Sequence, residues 1–185
     1  FVAKGDFNTK FGRVQSDINY KISDNIKQSS YRGNLKLYDF DLGKFLKDTV
    51  TFQRVTVNGR INGKGFTREA ADFVLVGEIP SIGLLNYNYV NIQSNAHFAK
   101  QLFEGALDIK DPNLKFSMKG SIDLRDGKDI INIKARLDTA LLHKLNLCRE
   151  EVFLQSDVNI DSRGLRLDSI VGSALLQNTI VKFRD

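Results

Sequence analysis

The sequence predicts an all-β fold, an antiparallel sheet with one apolar face and one polar face. Three observations support this prediction. Apolar or small residues alternate with polar ones along most of the chain, which is the period of a half-buried strand. Gly-, Asn- and Asp-rich turn sequences separate the alternating runs. Only short segments interrupt the period of two.

Nine alternating runs are distributed along the chain between residues 14 and 174. In each of them, every second residue is apolar or small, and the intervening residues are mainly polar. The runs cover residues 14–22, 31–37, 55–61, 92–98, 103–109, 114–124, 131–137, 152–160 and 170–174. Five glycines occupy positions of these runs where the alternation places apolar residues. They predict tight curvature of the sheet or close approach of an opposite wall. These glycines are Gly33, Gly59, Gly105, Gly120 and Gly172.

Four sequences predict turns between the strands. Asp126-Gly127 suits the type I′ turn of a two-residue hairpin and is the clearest of them. Segments 62–65, 111–113 and 161–164 are the other turn candidates.

Two segments have helical spacing instead. Leucine and phenylalanine fall at i, i+3 and i+4 in residues 40–47, and leucines follow a similar spacing in residues 139–147. Asp39 and Asp138 stand where N-caps would be needed. We therefore expect two short helical insertions, each docked on the sheet because so short a helix is unstable alone.

The two helical segments lie in similar surroundings about 100 residues apart, which predicts a degenerate repeat of strand, short helix, strands and turn. Stacked repeats favour an elongated architecture over a closed one. Residues 1–185 are thus predicted to form a single β-rich segment. Because the chain begins at Phe1 within strand-like sequence and shows no signal peptide, we expect it to belong to a larger protein.

Composition excludes several classes of protein. One cysteine rules out a disulfide scaffold, and two histidines leave little for a metal centre. The net charge is +5, but Lys and Arg are scattered singly, which is typical of a solvated sheet face rather than of a nucleic-acid surface. No apolar run approaches the roughly 18 residues of a membrane-spanning helix.

No candidate residues form a catalytic set. The sequence predicts that His97 is a solvated strand residue, that His143 lies near a helix C-terminus, and that Cys148 is a small packing residue. The oxygens of Asp108, Asp111 and Asn113 are better explained by a capped turn than by a calcium loop. The carboxylates flanking the predicted hairpin belong to its polar face, at Asp123, Asp126 and Asp129. We therefore predict no enzyme activity, no cofactor and no metal.

The apolar face is the remaining candidate for function. Its densest stretch of large apolar residues lies around the central hairpin. We predict that these side chains line a hydrophobic groove, unless they form a filled core: Leu107, Ile109, Leu114, Phe116, Met118, Ile122, Ile131 and Ile133.

Parts of the sequence resemble a known family. Four segments resemble the TamB family, the AsmA-like translocation and assembly module subunits of the Bacteroidetes type. These segments are 87–92, 103–116, 120–124 and Leu137-Asp138 to Leu147. The resemblance covers most of the chain, but it rests on loose strand-repeat motifs and not on a catalytic signature.

The resemblance implies a fold and a function. It implies a curled, taco-like β-trough with an apolar interior, in a periplasmic segment of a protein anchored in the inner membrane. It also implies transport of phospholipid between the membranes, or assembly of outer-membrane proteins. The expected partners are phospholipid acyl chains or unfolded outer-membrane protein segments, together with a BamA- or TamA-like barrel protein. No nucleic acid is expected.

Two other functions remain open. A closed, lipocalin-like ligand-binding barrel would also have one apolar face, although the chain has no Trp for the barrel floor and its repeat favours elongation. An adhesin or structural β-domain would instead fill the same face as a dry core.

Overall fold

The computed structural model describes residues 1–25, 28–65, 69–125, 129–164 and 171–184. Within these ranges the protein has eleven β-strands and one short α-helix, which confirms the all-β prediction. The chain forms two compact units, Phe1–Lys100 and Gln101–Asp185. Each unit is a meander in which consecutive strands pair antiparallel, as alternating polarity and short connections favour.

The first unit contains six strands and the helix. The strands are β1 (Val2–Thr9), β2 (Gly12–Lys21), β3 (Ser30–Asp41), β4 (Phe52–Lys64), β5 (Asp72–Leu84) and β6 (Tyr87–Ala99). Helix α1 (Leu42–Leu46) connects β3 to β4.

The second unit contains five strands: β7 (Leu102–Lys110), β8 (Leu114–Asp123), β9 (Ile130–Leu141), β10 (Glu151–Arg163) and β11 (Val171–Arg184). Among the described residues β1 pairs only with β2, and β11 pairs only with β10. The strand ladder is therefore open at these edges, which contradicts the closed-barrel alternative.

The turn predictions have mixed outcomes. Segment 111–113 is a turn, in which the Asn113 N–H donates to the Asp111 carboxylate at 2.8 Å. Segments 62–65 and 161–164 are not turns as predicted, because β4 continues to Lys64 and β10 to Arg163. Asn62, Lys64, Asp161 and Arg163 are exposed on these long strands, whereas Ser162 is buried. The predicted Asp126-Gly127 turn lies outside the described residues.

A tight hairpin that the sequence analysis missed joins β5 to β6. Leu85 and Asn86 have φ values of 50° and 63°, the left-handed conformation that a type I′ turn requires at both central positions. Asn tolerates this conformation, whereas Leu adopts it at a cost. Strand pairing on both sides of the turn, from Leu84 with Tyr87 onward, holds the leucine there.

The first helical prediction is confirmed with a different cap. Helix α1 is one turn long, and the Asp41 carboxylate accepts the Lys44 N–H at 2.9 Å. Asp39, the predicted cap, instead lies in a bulge of β3 at φ 48° and forms an ion pair with Arg54. The capping carboxylate thus comes two residues later than expected.

The second helical prediction is wrong. Strand β9 continues to Leu141, and residues 142–146 form a hydrogen-bonded turn rather than an α-helix. Asp138, the predicted cap, lies in β9 and pairs with Arg136 at 2.7 Å. The position corresponding to Asp41 is Ala140, whose side chain cannot accept the first free N–H groups of a helix.

The two connecting segments nevertheless end in the same way. Lys47 and Asn146 are left-handed, with φ values of 58° and 61°. In each segment one N–H bonds to the carbonyl three residues earlier and the next N–H to the carbonyl five residues earlier, as in a Schellman motif. These bonds are Lys47 to Lys44 (3.3 Å), Asp48 to Gly43 (2.9 Å), Asn146 to His143 (3.1 Å) and Leu147 to Leu142 (3.0 Å).

Gly120 illustrates what the strand glycines do. Its φ is +143°, and an added Cβ would collide with the carbonyl oxygen of Asn132 on the adjacent strand. The close approach thus involves the neighbouring strand.

Buried apolar residues are distributed unevenly. Those of the first unit are Ile18, Tyr31, Phe40, Val55, Val57, Leu75, Ile79, Ile92 and Ala96, and those of the second unit are Leu102, Ala140 and Leu145.

Among the described residues, no helix has the length and hydropathy needed to cross a bilayer.

Candidate functional site

The eight residues predicted to line a groove lie on one face of the second unit, here called the apolar face. Antiparallel pairing places directly opposed side chains on the same side of a sheet. Leu107 opposes Met118, Ile109 opposes Phe116 and Ile122 opposes Ile131, while Ile133 opposes Gly120. Each of the eight is partly exposed, and none is buried.

A pair of glycines lies in the middle of the apolar face. Gly105 and Gly120 are directly opposed on β7 and β8, and Ile133 is the next residue in the same row. Two adjacent positions without side chains leave a depression between rows of larger residues. The row on one side contains Leu107 and Met118.

The strand register extends this surface beyond the predicted residues. Met118 opposes Ala135, Ala135 opposes Val158, and Val158 opposes Leu176 on β11. The alternating pattern predicts that Ala135 and Val158 lie on apolar strand faces. It does not predict that they lie beside the central hairpin, because that depends on pairing between strands distant in sequence. Leu176 lies outside the predicted runs and is 60% exposed.

The opposite face of the same strands is polar and basic. Lys110 opposes Lys115, and Lys119 opposes Lys134, all of them exposed. A single strand, β8, therefore separates an apolar surface from a cationic one. Lys115 and Phe116 are consecutive residues on opposite faces, which makes them a matched pair for experiments.

Register shifts interrupt the ladders between β9, β10 and β11 at one level, next to a depression of about 490 Å³. The side chains there bond to one another. Asn178 donates to the Asp157 carboxylate at 2.7 Å, and the hydroxyls of Ser156 and Thr179 are 2.8 Å apart. These hydrogen bonds join β10 to β11 where the backbone ladder is broken, which gives the bulges a structural role.

His97 is paired rather than simply solvated. Its Nε2 lies 2.6 Å from Oδ1 of Asp72, both side chains are about one-third exposed, and Lys64 approaches the same carboxylate at 3.5 Å. The hydrogen bond from His97 lowers the pKa of Asp72, and Lys64 lowers it further. Three neighbouring strands are thus tied together by one polar cluster.

The other candidate residues have local contacts. His143 Nδ1 lies 2.9 Å from the carbonyl oxygen of Arg149, and Cys148 Sγ lies 3.1 Å from that of Glu150. Asp111 is buried within its turn, and Asp123 forms a bidentate pair with Arg125 at 2.8 Å. Across the described ranges, no three His, Cys, Asp or Glu side chains converge in a way that could hold a metal ion.

Comparison with known proteins identifies no relative. No protein-family profile matches the chain, and neither a curated protein nor a solved structure matches it significantly.

Proposed function

We propose that this chain is a periplasmic segment of a TamB-like envelope protein. Its apolar face would guide phospholipid acyl chains between the inner and outer membranes. The observation that carries the proposal is that all eight residues of the apolar face are partly exposed although they are large and adjacent. A contiguous apolar surface that a protein leaves accessible is typical of a binding site.

The shape and chemistry of the apolar face support an acyl-chain ligand. Leu, Ile, Met and Phe side chains offer dispersion contacts and no hydrogen-bonding groups. Met is suited to a surface that must accommodate variable ligands, because its side chain is flexible and polarizable. The central Gly105–Gly120 depression gives a chain-shaped ligand room to lie against the backbone.

Two other functions would use the apolar face differently: one binds a polypeptide in place of lipid, and the other binds no ligand. Unfolded outer-membrane protein segments, which alternate apolar and polar side chains, could use the same face during assembly by a BamA- or TamA-like partner. A structural or adhesin domain would need no ligand, and the buried apolar residues of the first unit fit that function. The transport proposal therefore concerns the second unit.

A photo-crosslinker placed at Phe116 tests the proposal, with Lys115 as the control position on the opposite face. In vesicles of phosphatidylethanolamine and phosphatidylglycerol, the crosslinker at Phe116 should capture acyl chains, and the one at Lys115 should not. Equal capture at both positions, or none at Phe116 in a folded protein, would count against a lipid-carrying face. Capture of an unfolded outer-membrane protein in place of lipid would favour the assembly function.

A further inference from the structure

Three chain connections lie at the same end of the first unit. Every second connection of an antiparallel meander returns to the same end of the sheet. In the first unit these are the β1–β2 turn, the β3–β4 segment that contains α1, and the β5–β6 turn. The Leu85 N–H donates to the Thr51 carbonyl oxygen at 3.0 Å, which joins the β5–β6 turn to the β3–β4 segment. The side chain of Gln53 accepts the Asn86 N–H at 3.3 Å and reinforces the same junction.

Large apolar side chains are exposed at this end of the unit. Val50 is 79% and Leu85 is 50% exposed, and Phe45 is exposed on α1. These three residues are called the loop tip. They lie on hydrogen-bonded connections, so the fold itself holds them at the surface.

Leu85 occupies a backbone conformation that does not favour leucine. Its φ is 50°, a left-handed conformation that Asn and Gly adopt at lower cost. Because half of the side chain is exposed, its packing within the unit offsets little of this cost. Backbone strain of this kind is concentrated at binding sites, so the leucine indicates a contact beyond those within the unit.

The charges around the loop tip favour an anionic partner. Lys10, Lys44 and Lys47 are exposed at the same end. Neither Lys10 nor Lys47 has an acidic partner among the described residues. The acidic side chains between residues 39 and 51 are already engaged within the protein: Asp39 with Arg54, Asp41 with Lys44, and Asp48 with the Thr51 N–H. Exposed apolar side chains accompanied by lysines are typical of segments that enter the interface of an anionic bilayer.

The backbone near the loop tip is hydrogen-bonded within the protein, which favours lipid over a protein partner. The Thr51 N–H donates to the Asp48 carboxylate at 3.0 Å, and the Asp48 N–H donates to the Gly43 carbonyl oxygen at 2.9 Å. The N–H groups of Leu85 and Asn86 also have internal acceptors. The hydrocarbon region of a bilayer offers no hydrogen-bonding groups, so a segment that enters it must satisfy its own backbone.

We propose that the loop tip docks on the surface of an anionic phospholipid bilayer. Phe45, Val50 and Leu85 enter the boundary between headgroups and acyl chains, to a depth of about 5–10 Å. The ammonium groups of Lys10 and Lys47 contact lipid phosphates while their stems lie along the apolar side chains. The proposal does not rest on lipid transport by the apolar face, because it concerns connections of the first unit and not the sheet of the second.

Vesicle flotation of the whole chain tests this proposal. The vesicles contain phosphatidylethanolamine and phosphatidylglycerol, and the unaltered chain should float with them. Val50→Ser and Leu85→Asn should each weaken binding by about tenfold or more, because each removes apolar area from the inserted surface. The matched control is Val76→Ser, at an exposed valine in the middle of β5, which should leave binding unchanged.

Thermal unfolding separates membrane contact from folding. Leu85→Asn should unfold at the same temperature as the unaltered chain or at a higher one, since Asn tolerates the left-handed backbone better. Unchanged vesicle binding by both Val50→Ser and Leu85→Asn would overturn the proposal, and so would an unaltered chain that does not float. Binding that high salt abolishes and neither substitution weakens would assign it to charge alone, against the proposal. Self-association without vesicles that Leu85→Asn abolishes would assign the loop tip to a second copy of the chain instead.

Discussion

The two units use the same alternating pattern with different results. In the first unit, nine apolar residues of β2 to β6 are buried, with Ile18 at 3% and Val55 at 4% exposure. In the described part of the second unit, the apolar face is partly exposed, and three apolar residues of the whole unit are buried. Alternation therefore predicts which face is apolar, but not whether that face is covered.

The first unit is also richer in aromatic residues than the second. All five tyrosines and nine of the thirteen phenylalanines lie in the first unit. Phe11, Phe40 and Phe45 form a cluster with ring centroids 5.5–5.8 Å apart, and Phe73 stacks on Phe98 at 5.5 Å. Aromatic rings bury large areas and cover their neighbours. The second unit has mainly aliphatic residues, together with the directly opposed glycines Gly105 and Gly120.

A matched pair of leucine substitutions is expected to show the largest difference between the units. Leu75→Asp places a carboxylate in the buried face of the first unit and should reduce the free energy of unfolding by about 3 kcal/mol or more. Leu107→Asp, on the partly exposed apolar face, should cost less than half as much, because water can still reach the carboxylate. Urea denaturation of both variants measures the difference. Equal losses would mean that the second unit also has a filled core.

Gly120→Ala should have the next largest effect. The substitution combines a left-handed φ with a clash against the Asn132 backbone, so we expect a loss of about 1–3 kcal/mol in the free energy of unfolding. Gly5→Ala is the control, because its added methyl group would meet mainly the ring of Phe7, which can rotate away. Similar stability of the two variants in urea would show that the adjacent strand can shift to accept a methyl group at Gly120.

Removal of the helix cap should have a smaller effect, confined to the first unit. Asp41→Ala leaves the Lys44 N–H without its carboxylate partner and should lower the unfolding midpoint. Asp39→Asn, which removes the charge of a surface ion pair and tolerates the left-handed backbone at that position, should change the midpoint less. The Lys44 N–H lowers the pKa of Asp41. The difference between the variants should therefore be present at neutral pH and disappear as acid protonates Asp41. A difference that persists after protonation would contradict the capping role.

Alkaline titration is expected to give the smallest effect, with no change at neutral pH. Burial raises the pKa of Tyr31 to about 12, with a smaller contribution from the charge of Asp72. Because the folded-state pKa exceeds the ordinary value of about 10, the stabilisation is complete below pH 10. It should be lost as the pH rises toward 12. Burial also raises the pKa of Tyr20. Ultraviolet absorbance should therefore show late-ionising tyrosines, and Tyr31→Phe should remove the one that ionises near pH 12; an unchanged titration would contradict this assignment.

The connecting segments show how far local sequence predicts local structure. Leucine spacing predicted a helix at both positions, but only the segment with Asp41 at its start forms one. Where Ala140 occupies the corresponding position, the chain extends its strand and closes a turn instead. Spacing alone did not separate the two outcomes, because the position of a capping side chain relative to the end of the strand decides them.

The sequence by itself determined the antiparallel all-β character, nine of the eleven strands that the structure describes, and the assignment of the eight apolar-face residues to one side of the sheet; β1 and β5 were not predicted. These features follow from a period of two, which acts between residues close in the chain. The tertiary structure decided which apolar residues are covered and that His97 pairs with Asp72. These features depend on strand register and on which side chains meet across the sheet, and such long-range pairings are not encoded in any single run of alternating residues.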